Sequence, residues 1–288
     1  MQKNDGIIIM DKPQGFTSFD MVAKMRGMLG TRKVGHGRAT KCCDLLPDQD
    51  KSYTATFELG YTTDTLDATG KLLSRQPVTA GEEQVRAVLE RFRGPISQLP
   101  PMYSAISIGG KRLYDLARQG IEVERERRPV TIHSLELTAA QPQENRYTIE
   151  VNCSKGTYIR TLCADIGEAL GCGATMTALR RTCAAGFSLE DALTLEQAQQ
   201  LAEQGALRER MLPIERVFSS LPRLHLGGKQ EQMYRNGVRL DLARLEGTQD
   251  FAGWQGDVAV FGEGGVFLGL SYPDWESQEL RLHKLFAI

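Results

Sequence analysis

Strict alternation of apolar and polar residues predicts β-strands in three parts of the chain. Residues 51–59 place an apolar side chain at every second position: Tyr53, Ala55, Phe57 and Leu59. A period of two puts these side chains on one face of a half-buried strand. Residues 146–154 alternate in the same way, and residues 130–137 favour a third strand. Strands of this kind are typical of antiparallel sheets, so we expect a largely antiparallel sheet.

Apolar residues three or four positions apart predict helices that separate these strands. The first helix follows Thr17 and Ser18, either of which can cap its N-terminus. Further helices are predicted over residues 82–92, 111–118, 157–170 and 195–203. After Leu221 the chain changes to short apolar runs separated by glycine turns, which predicts a small β-rich domain. The sequence therefore predicts an α+β protein with a large domain over residues 1–221 and a small one over residues 222–288.

Composition excludes several classes of protein. Hydrophobic residues make up 41% and charged residues 25% of the chain, near the averages of soluble domains, which argues against a disordered or fibrous protein. No apolar run is long enough to cross a bilayer, and the short apolar run at residues 6–10 is typical of a strand rather than a signal peptide. We therefore expect a cytoplasmic protein without a membrane partner.

Charge and metal-ligand chemistry give weaker indications. The six cysteines contain no CxxC pair, and the four histidines form no ligand-spaced cluster with them, so no metal is expected. A net charge of −1 does not by itself indicate a nucleic-acid partner. Residues 24–41, however, carry six basic side chains and no acid: Lys24, Arg26, Arg32, Lys33, Arg38 and Lys41. This stretch is a local basic field.

Arg160 occupies an unusual position in the predicted elements. Residues 153–160 join a strand directly to a helix, so that Arg160 lies in the first helical turn. A cation there opposes the helix dipole at a cost of roughly 0.3–1 kcal/mol. An acidic side chain or a phosphate in a cleft would compensate for this cost. A plain surface arginine explains the spacing equally well.

Three other side chains have both a structural and a functional interpretation. The ring of Tyr53 can fill the core or present a face to a ligand, and the alternating pattern alone favours the core. Asp64 and Asp67 can act as a general acid and base, but in a loop of small polar residues they more often form side-chain turns. No glycine-rich phosphate loop is present, so nucleotide cofactors have no support.

Taken together, these stretches resemble the bacterial tRNA pseudouridine-55 synthases, the TruB family, over almost the whole chain. The matching segments are GIIIMDKPQG at residues 6–15 with Thr17 and Ser18, VGH at 34–36, ATK at 39–41, DKSY at 50–53, TDTLD at 63–67, PMYSA at 101–105, GKRLY at 110–114, ARQG at 117–120, CSKGTYIR at 153–160, GCG at 171–173 and LRR at 179–181.

The resemblance implies a pseudouridine-synthase fold followed by a small C-terminal RNA-binding domain similar to PUA domains. It also implies a cofactor-free isomerase that detaches the uracil of uridine 55 in the T arm of tRNA, rotates it and rejoins it through carbon. The target base would be flipped out of the T loop at a cost of about a few kcal/mol. An insertion at about residues 101–130 would close over the T arm, the C-terminal domain would grip the acceptor stem, and the protein would be a monomer.

Site residues follow from the resemblance one by one. Tyr53 looks like the tyrosine that stacks on the flipped base, and Arg160 looks like the arginine paired with an aspartate nucleophile. Tyr158 and Leu179 look like further lining of the uracil pocket. His36 resembles the histidine that contacts the flipped region, and Lys12 is similarly expected to bind substrate.

The chain departs from the family pattern after His36. Family members continue with a loop of the type Gly-Thr-Leu-Asp-Pro-Leu-Ala-Thr-Gly, whereas here only Gly37 and Arg38 precede Ala39. The segment that carries the nucleophilic aspartate is therefore missing from this sequence. Without that segment, Arg160 is expected to face an empty cleft, in which no protein side chain pairs with it. Water or a bound anion is then expected beside the guanidinium. Three hypotheses follow: a tRNA pseudouridine synthase, an inactive tRNA-binding or tRNA-folding protein of the same family, or a generic RNA-binding protein that uses only its C-terminal domain.

Overall fold

A computed structural model describes residues 6–13, 15–32, 34, 38–42, 45–47 and 49–286. The chain forms two compact units, one made of Asp48–Ser188 and one made of Met1–Pro47 with Leu189–Ile288. No helix within the described ranges has the length and apolar character needed to cross a membrane.

Helices and strands alternate along the chain. The helices are α1 (Ser18–Leu29), α2 (Glu82–Leu89), α3 (Leu113–Arg118), α4 (Ile159–Ala169), α5 (Leu195–Glu203) and α6 (Gly228–Arg235). The strands are β1 (Ile9–Met10), β2 (Lys51–Leu59), β3 (Tyr61–Thr63), β4 (Leu72–Arg75), β5 (Gly94–Gln98), β6 (Ser107–Ile108), β7 (Lys111–Arg112), β8 (Arg128–Gln141), β9 (Arg146–Cys153), β10 (Ala174–Ala184), β11 (Phe187–Ser188), β12 (Ala192–Leu193), β13 (Arg223–His225), β14 (Leu240–Asp241), β15 (Val258–Phe261), β16 (Phe267–Asp274) and β17 (Glu279–Leu285).

The unit Asp48–Ser188 is built on a six-stranded sheet. Its strand order is β11-β10-β2-β9-β8-β5, and each strand runs antiparallel to its neighbours. The apolar face of β2 packs with the buried side of α4, where Ile159, Leu162 and Ile166 join the same core. The expected antiparallel central sheet flanked by helices is therefore confirmed.

Three strands of this sheet, β5, β10 and the short β11, were not predicted from the sequence. The short β5 pairs with the start of β8, and β10 pairs with β2 over its whole length. In β10 the register shifts between Met176 and Ala178 and again between Arg181 and Cys183. Each shift is a bulge, which changes the face to which the following residues point and removes the period of two. The prediction of a helix from residue 111 was also wrong at its start, because Lys111–Arg112 is a strand.

The segment between β5 and β8 leaves the sheet at Gln98 and returns at Arg128, two residues that pair directly. It contains the hairpin β6–β7 and the helix α3, anchored by the buried Leu113 and Leu116. Its returning part has no regular structure, but Arg125 donates to the Pro100 carbonyl at 3.0 Å. This segment includes most of the insertion predicted at about residues 101–130, and its role stays a prediction.

Two hydrophobic cores lie in the part of the second unit that the structure describes, besides a group of packed aromatic rings formed by Phe218, Phe267 and Phe286. One joins Met25 of α1 to Leu193, Ala198 and Leu207. The other lies in the five-stranded sheet β13-β15-β16-β17-β14, where β13 and β15 are parallel and the remaining pairs are antiparallel. A C-terminal β domain is therefore present, as predicted, while the exact boundary at residue 221 stays a prediction.

Candidate active site

Arg160 makes three contacts in the first turn of α4. Its Nη1 donates to Oδ2 of Asp67 at 3.2 Å and to the carbonyl oxygen of Thr65 at 3.4 Å. Its Nη2 donates to the carbonyl oxygen of Tyr103. One carboxylate and two carbonyl oxygens thus compensate for the unfavourable helix dipole. The expectation of an empty cleft beside Arg160 was wrong, because Asp67 lies there.

Asp67 is held by its own loop as well as by Arg160. Its Oδ1 accepts hydrogen bonds from Thr65 Oγ1 at 2.9 Å, Thr69 Oγ1 at 2.6 Å and Thr69 N at 3.0 Å. The predicted side-chain turn is therefore confirmed. Burial raises the pKa of Asp67, but the hydrogen bonds from Thr69 and Thr65 and the Arg160 charge outweigh this effect. The net pKa lies below its ordinary value, so Asp67 is an anion at neutral pH.

The backbone of the loop is fixed to the neighbouring strand β10. Ala68 N donates to the Met176 carbonyl at 2.9 Å, and Met176 N donates to the Leu66 carbonyl at 3.2 Å. Leu66 has a φ of 63°, a left-handed conformation that a leucine rarely adopts. A Cβ at Gly70 would lie 2.3 Å from Thr65 Oγ1, so no side chain fits there. The loop is therefore built to hold one conformation, with Asp67 directed at Arg160.

Asp64 lies in the same loop and has a different role. Its Oδ1 accepts a hydrogen bond from the backbone N of Lys71 at 2.8 Å, and its side chain is exposed. No arginine or lysine lies within ion-pair distance of it in the part of the chain that the structure describes. Asp64 thus closes the loop, and Asp67 alone of the two reaches the site.

Tyr158 is positioned through its backbone by a buried glutamine. Tyr158 N donates to Gln98 Oε1 at 3.0 Å, and Gln98 Nε2 donates to the Tyr158 carbonyl at 3.3 Å. Gln98 is only 1% exposed at the end of β5, so both bonds lie in a dry environment where they are strong. Gln98 was not predicted as a site residue, because nothing in the local sequence pattern distinguishes it from other polar residues.

Tyr53 lies in the core and beneath an arginine. It is 7% exposed and belongs to the same hydrophobic cluster as Ile159, so it faces the side of the sheet on which α4 packs. This confirms the core position that the alternating pattern favoured. The guanidinium carbon of Arg181 lies over its ring, 5.4 Å from the ring centroid. Leu179, two residues before Arg181 on β10, pairs with Ala55 and remains 46% exposed.

The remaining predicted site residues are Lys12 and His36. Lys12 belongs to the other unit, where its Nζ donates to the Phe16 carbonyl at 2.6 Å and its side chain is exposed. His36 lies outside the described residues. Direct contacts therefore join Arg160 to Asp67 and Tyr103, and Tyr53 to Arg181, whereas the substrate roles of Lys12, His36, Tyr158 and Leu179 stay predictions. Within the described ranges no group of His, Cys, Asp and Glu side chains is arranged to hold a metal ion.

Comparison with known proteins gives a consistent assignment. Residues 25–159 match the family model of the TruB family pseudouridylate synthase N-terminal domain, and residues 160–219 match that of the tRNA pseudouridylate synthase B C-terminal domain. The chain is 40% identical to the tRNA pseudouridine synthase B of Bacillus licheniformis, over 93% of each chain. It is 42% identical to that of an Azoarcus species, over 98% of this chain and 95% of the relative.

The fold has a counterpart among solved structures. A crystal structure of a Cbf5-Nop10-Gar1 complex contains a chain that superposes with a TM-score of 0.72 at 22% identity, over 98% of this chain and 85% of that one.

The Bacillus and Azoarcus alignments run over 290 and 300 positions, more than a chain of 288 residues can fill. The relatives therefore have residues at positions where this chain has none. With 40% identity over nearly its full length, the chain belongs to the TruB family of pseudouridylate synthases.

Proposed function

We propose that this protein acts as a tRNA pseudouridine synthase at uridine 55 of the T loop. In this isomerisation the bond between uracil N1 and ribose C1′ breaks, the base turns, and C5 bonds to C1′. C5 releases a proton and N1 gains one, so the reaction needs no cofactor, oxidant or reductant. The observation that carries the proposal is Arg160, held in a fixed orientation by Asp67 and the Tyr103 carbonyl in a chain of this family.

The surroundings of Arg160 suit a flipped base. Flipping a nucleotide costs about a few kcal/mol, and stacking on an aromatic ring returns about 1–3 kcal/mol per base. Tyr53 supplies that ring on the side of the sheet on which α4 packs. Tyr103 lies near the start of the segment between β5 and β8, so Arg160 links the loop of Asp67 to the segment expected to cover the T arm.

Asp67 is a positioning residue for Arg160 and not the nucleophile. Its Oδ1 already accepts three hydrogen bonds, and its Oδ2 accepts one from Arg160. A carboxylate whose lone pairs are engaged and whose pKa lies below its ordinary value is a weak nucleophile. The attacking carboxylate therefore has to come from the loop that family members carry after His36.

The short connection after His36 favours a second candidate function, which is tRNA binding without turnover. Gly37 and Arg38 alone separate His36 from Ala39, and the relatives have residues at positions that this chain lacks. A protein that retains the binding surface but no nucleophile would bind the T arm with strong salt dependence and leave uridine 55 unchanged.

Tritium release separates the two candidates. A tRNA transcript with tritium at C5 of its uridines is incubated with this chain and with a version in which Gly-Thr-Leu-Asp-Pro-Leu-Ala-Thr-Gly is inserted after His36. We expect the loop-restored protein to release one equivalent of tritium per tRNA, and none from a transcript with cytidine at position 55. A loop-restored protein that folds and releases no label would contradict the enzymatic proposal.

The unaltered chain provides the second arm of this experiment. Binding without release of label would support the binding protein, whereas stoichiometric release would exclude it and show that another carboxylate serves as nucleophile. In the loop-restored protein, Arg160→Ala should abolish release, and Asp64→Asn should leave it within about twofold, since Asp64 makes only a turn hydrogen bond.

A further inference from the structure

Arg181 is the exposed side chain that covers the ring of Tyr53. Both residues lie in adjacent strands, directly opposite each other in the register of β10 and β2. Side chains paired in this way share one face of a sheet. Because Tyr53 is 7% exposed while Arg181 is exposed, the guanidinium, 5.4 Å from the ring centroid, lies on the solvent side of the ring.

No acid competes for this guanidinium. Within the described part of the chain, Arg181 has no carboxylate within ion-pair distance and makes no side-chain hydrogen bond. The guanidinium thus keeps its full charge and all five of its donors. A planar donor set of this kind matches the oxygens of a phosphate.

The contact between Arg181 and Tyr53 is weak enough to be displaced. An exposed cation–π contact changes an equilibrium constant by about two- to fivefold. A base stacked on the same ring contributes about five- to 150-fold by the effect of alanine substitution. A base that reaches the solvent side of Tyr53 would therefore displace Arg181 from the ring.

We propose that Arg181 is a positioning residue that covers Tyr53 in the free protein and moves to a phosphate of the flipped nucleotide when uracil takes its place on the ring. This inference rests on the proposed function, because it assigns Tyr53 to the stacking of the base. Through this exchange, stacking of the base on Tyr53 is coupled to binding of the nucleotide's phosphate by Arg181. When no RNA is bound, Arg181 covers the tyrosine ring.

The first test follows Arg181 by nuclear magnetic resonance in the full chain. The ring of Tyr53 should shift the δ-methylene signals of Arg181 upfield in the free protein, and Tyr53→Leu should remove this shift. A T-arm hairpin with uridine at position 55 should also remove it, since the base displaces the guanidinium. A hairpin with an abasic site at position 55 should bind and leave the shift in place.

The second test measures hairpin affinity as a function of salt concentration. Arg181→Ala should weaken binding by about tenfold. It should also lower the slope of log affinity against log salt by about 0.7–0.9, the value for one phosphate contact. Arg181→Lys should keep the slope, because its charge still reaches the phosphate. Arg75→Ala is the matched control, because the exposed Arg75 also lies over a tyrosine, 5.7 Å from the ring centroid of Tyr61, and it should change neither quantity.

These measurements separate failure of the inference from failure of the proposed function. A uridine hairpin that binds while the Arg181 signals stay upfield would overturn the inference alone. An Arg181→Ala variant with an unchanged salt slope would do the same. A chain that binds neither hairpin would contradict the proposed function, and the inference with it.

Discussion

Most arginines in the C-terminal β domain pair with acids, whereas the unit Asp48–Ser188 also has a set of arginines that lie over tyrosine rings. Of the five arginines after Leu221, four pair with carboxylates: Arg235, Arg239, Arg244 and Arg281. The unit Asp48–Ser188 also has five arginines that pair with carboxylates, but four others lie over tyrosine rings: Arg75, Arg112, Arg118 and Arg181. A carboxylate neutralises a guanidinium, whereas an aromatic ring leaves its charge available to a phosphate. The difference predicts that the arginines over the rings of Tyr53 and Tyr114 contribute more to the electrostatic binding of RNA than the arginines of the C-terminal β domain.

Arg160 is the exception near the candidate site, because its partner is an acid. Its pair with Asp67 joins residues 93 positions apart, and each side chain is only 21% exposed. Exposed pairs contribute little to stability, but removing one partner of a poorly solvated pair leaves a charge without compensation. Among the ion pairs of the described residues, this one should therefore be the most sensitive to substitution.

The largest effect is expected for Asp67→Asn. We expect the free energy of unfolding to fall by about 2–3 kcal/mol at pH 7, because Arg160 loses the carboxylate that pairs with it among the described residues while remaining partly buried. The pKa of Asp67 is lower in the folded protein than its ordinary 3.8. Its contribution is therefore complete above pH 3.8 and is lost as the pH falls through the folded-state value. Urea unfolding at pH 7, 5 and 3.5 measures the difference.

Asp64→Asn is the matched control for this prediction, since it changes the same residue type in the same loop. It affects only the hydrogen bond to Lys71 N, and we expect a loss of about 1 kcal/mol or less. Equal losses for the two variants at pH 7 would show that Asp67 acts only as a turn former. A difference that persists unchanged well below pH 3.8 would show that its charge is not the cause.

The second largest effect is expected on tRNA affinity. It compares arginines that lie over a tyrosine ring with arginines that pair with an acid. Replacing both Arg112 and Arg118 by alanine removes the two guanidinium groups that flank Tyr114, 6.0 and 5.5 Å from its ring centroid. We expect affinity for unmodified tRNA to fall about 10- to 30-fold, or about 1.4–2 kcal/mol, and the salt slope to fall by about 1.4–1.8. Filter binding at a series of salt concentrations measures both.

The matching double variant in the C-terminal domain replaces Arg235 and Arg244 by alanine. Both are paired with acids, Glu231 and Asp241, at 2.7 and 3.1 Å. We expect the salt slope to change by less than about 0.3, because neutralised arginines release few counterions. A slope that falls as far as in the first double variant would mean that these ion pairs open on RNA, and the contrast between the two regions would be lost.

Neighbouring strands show how far the fold could be predicted from the sequence. The limits of β2 were predicted to the residue, because it pairs with β9 without a register shift and its period of two is uninterrupted. The adjacent β10 was missed, because two bulges interrupt its pattern and four consecutive residues from Ala178 to Arg181 are exposed. Apolar and polar residues alternate in a sequence only where one face of a regular strand is buried. In β10 each bulge changes the face to which the following residues point, so the alternation is lost.

The sequence indicated what kind of partner Arg160 requires, but not which residue provides it. The position of Arg160 at a helix start indicated an acidic partner, and the threonines around Asp67 indicated a turn. The contact between them depends on backbone hydrogen bonds from the loop to Met176, which lies in the strand that was missed. Gln98 and Arg181 likewise act through partners distant in sequence, Tyr158 and Tyr53. Local patterns carry no information on such pairs.

The smallest effect is expected for Asp165→Asn, which concerns an acid without a partner. Asp165 lies half-buried on α4 and makes no hydrogen bond or ion pair within the described residues. Burial raises its pKa to about 6, Arg127 opposes the rise, and Glu168 adds to it. Because this pKa exceeds that of the unfolded chain, ionisation destabilises the fold, with no penalty below pH 4 and the full penalty above pH 6.

Removing that charge should therefore stabilise the protein in a pH-dependent way. A carboxyl pKa of about 6 instead of 3.8 corresponds to about 3 kcal/mol for a fully buried group, and solvent screening at this half-buried site reduces the destabilisation to about 1 kcal/mol. Asp165→Asn should raise the Tm by about 2–4 °C at pH 7.5 and leave it unchanged at pH 4. The exposed Glu168→Gln is the control and should shift the Tm less. A lower Tm for Asp165→Asn at pH 7.5 would mean that attraction between Asp165 and Arg127 outweighs burial, so that this acid too has an effective partner.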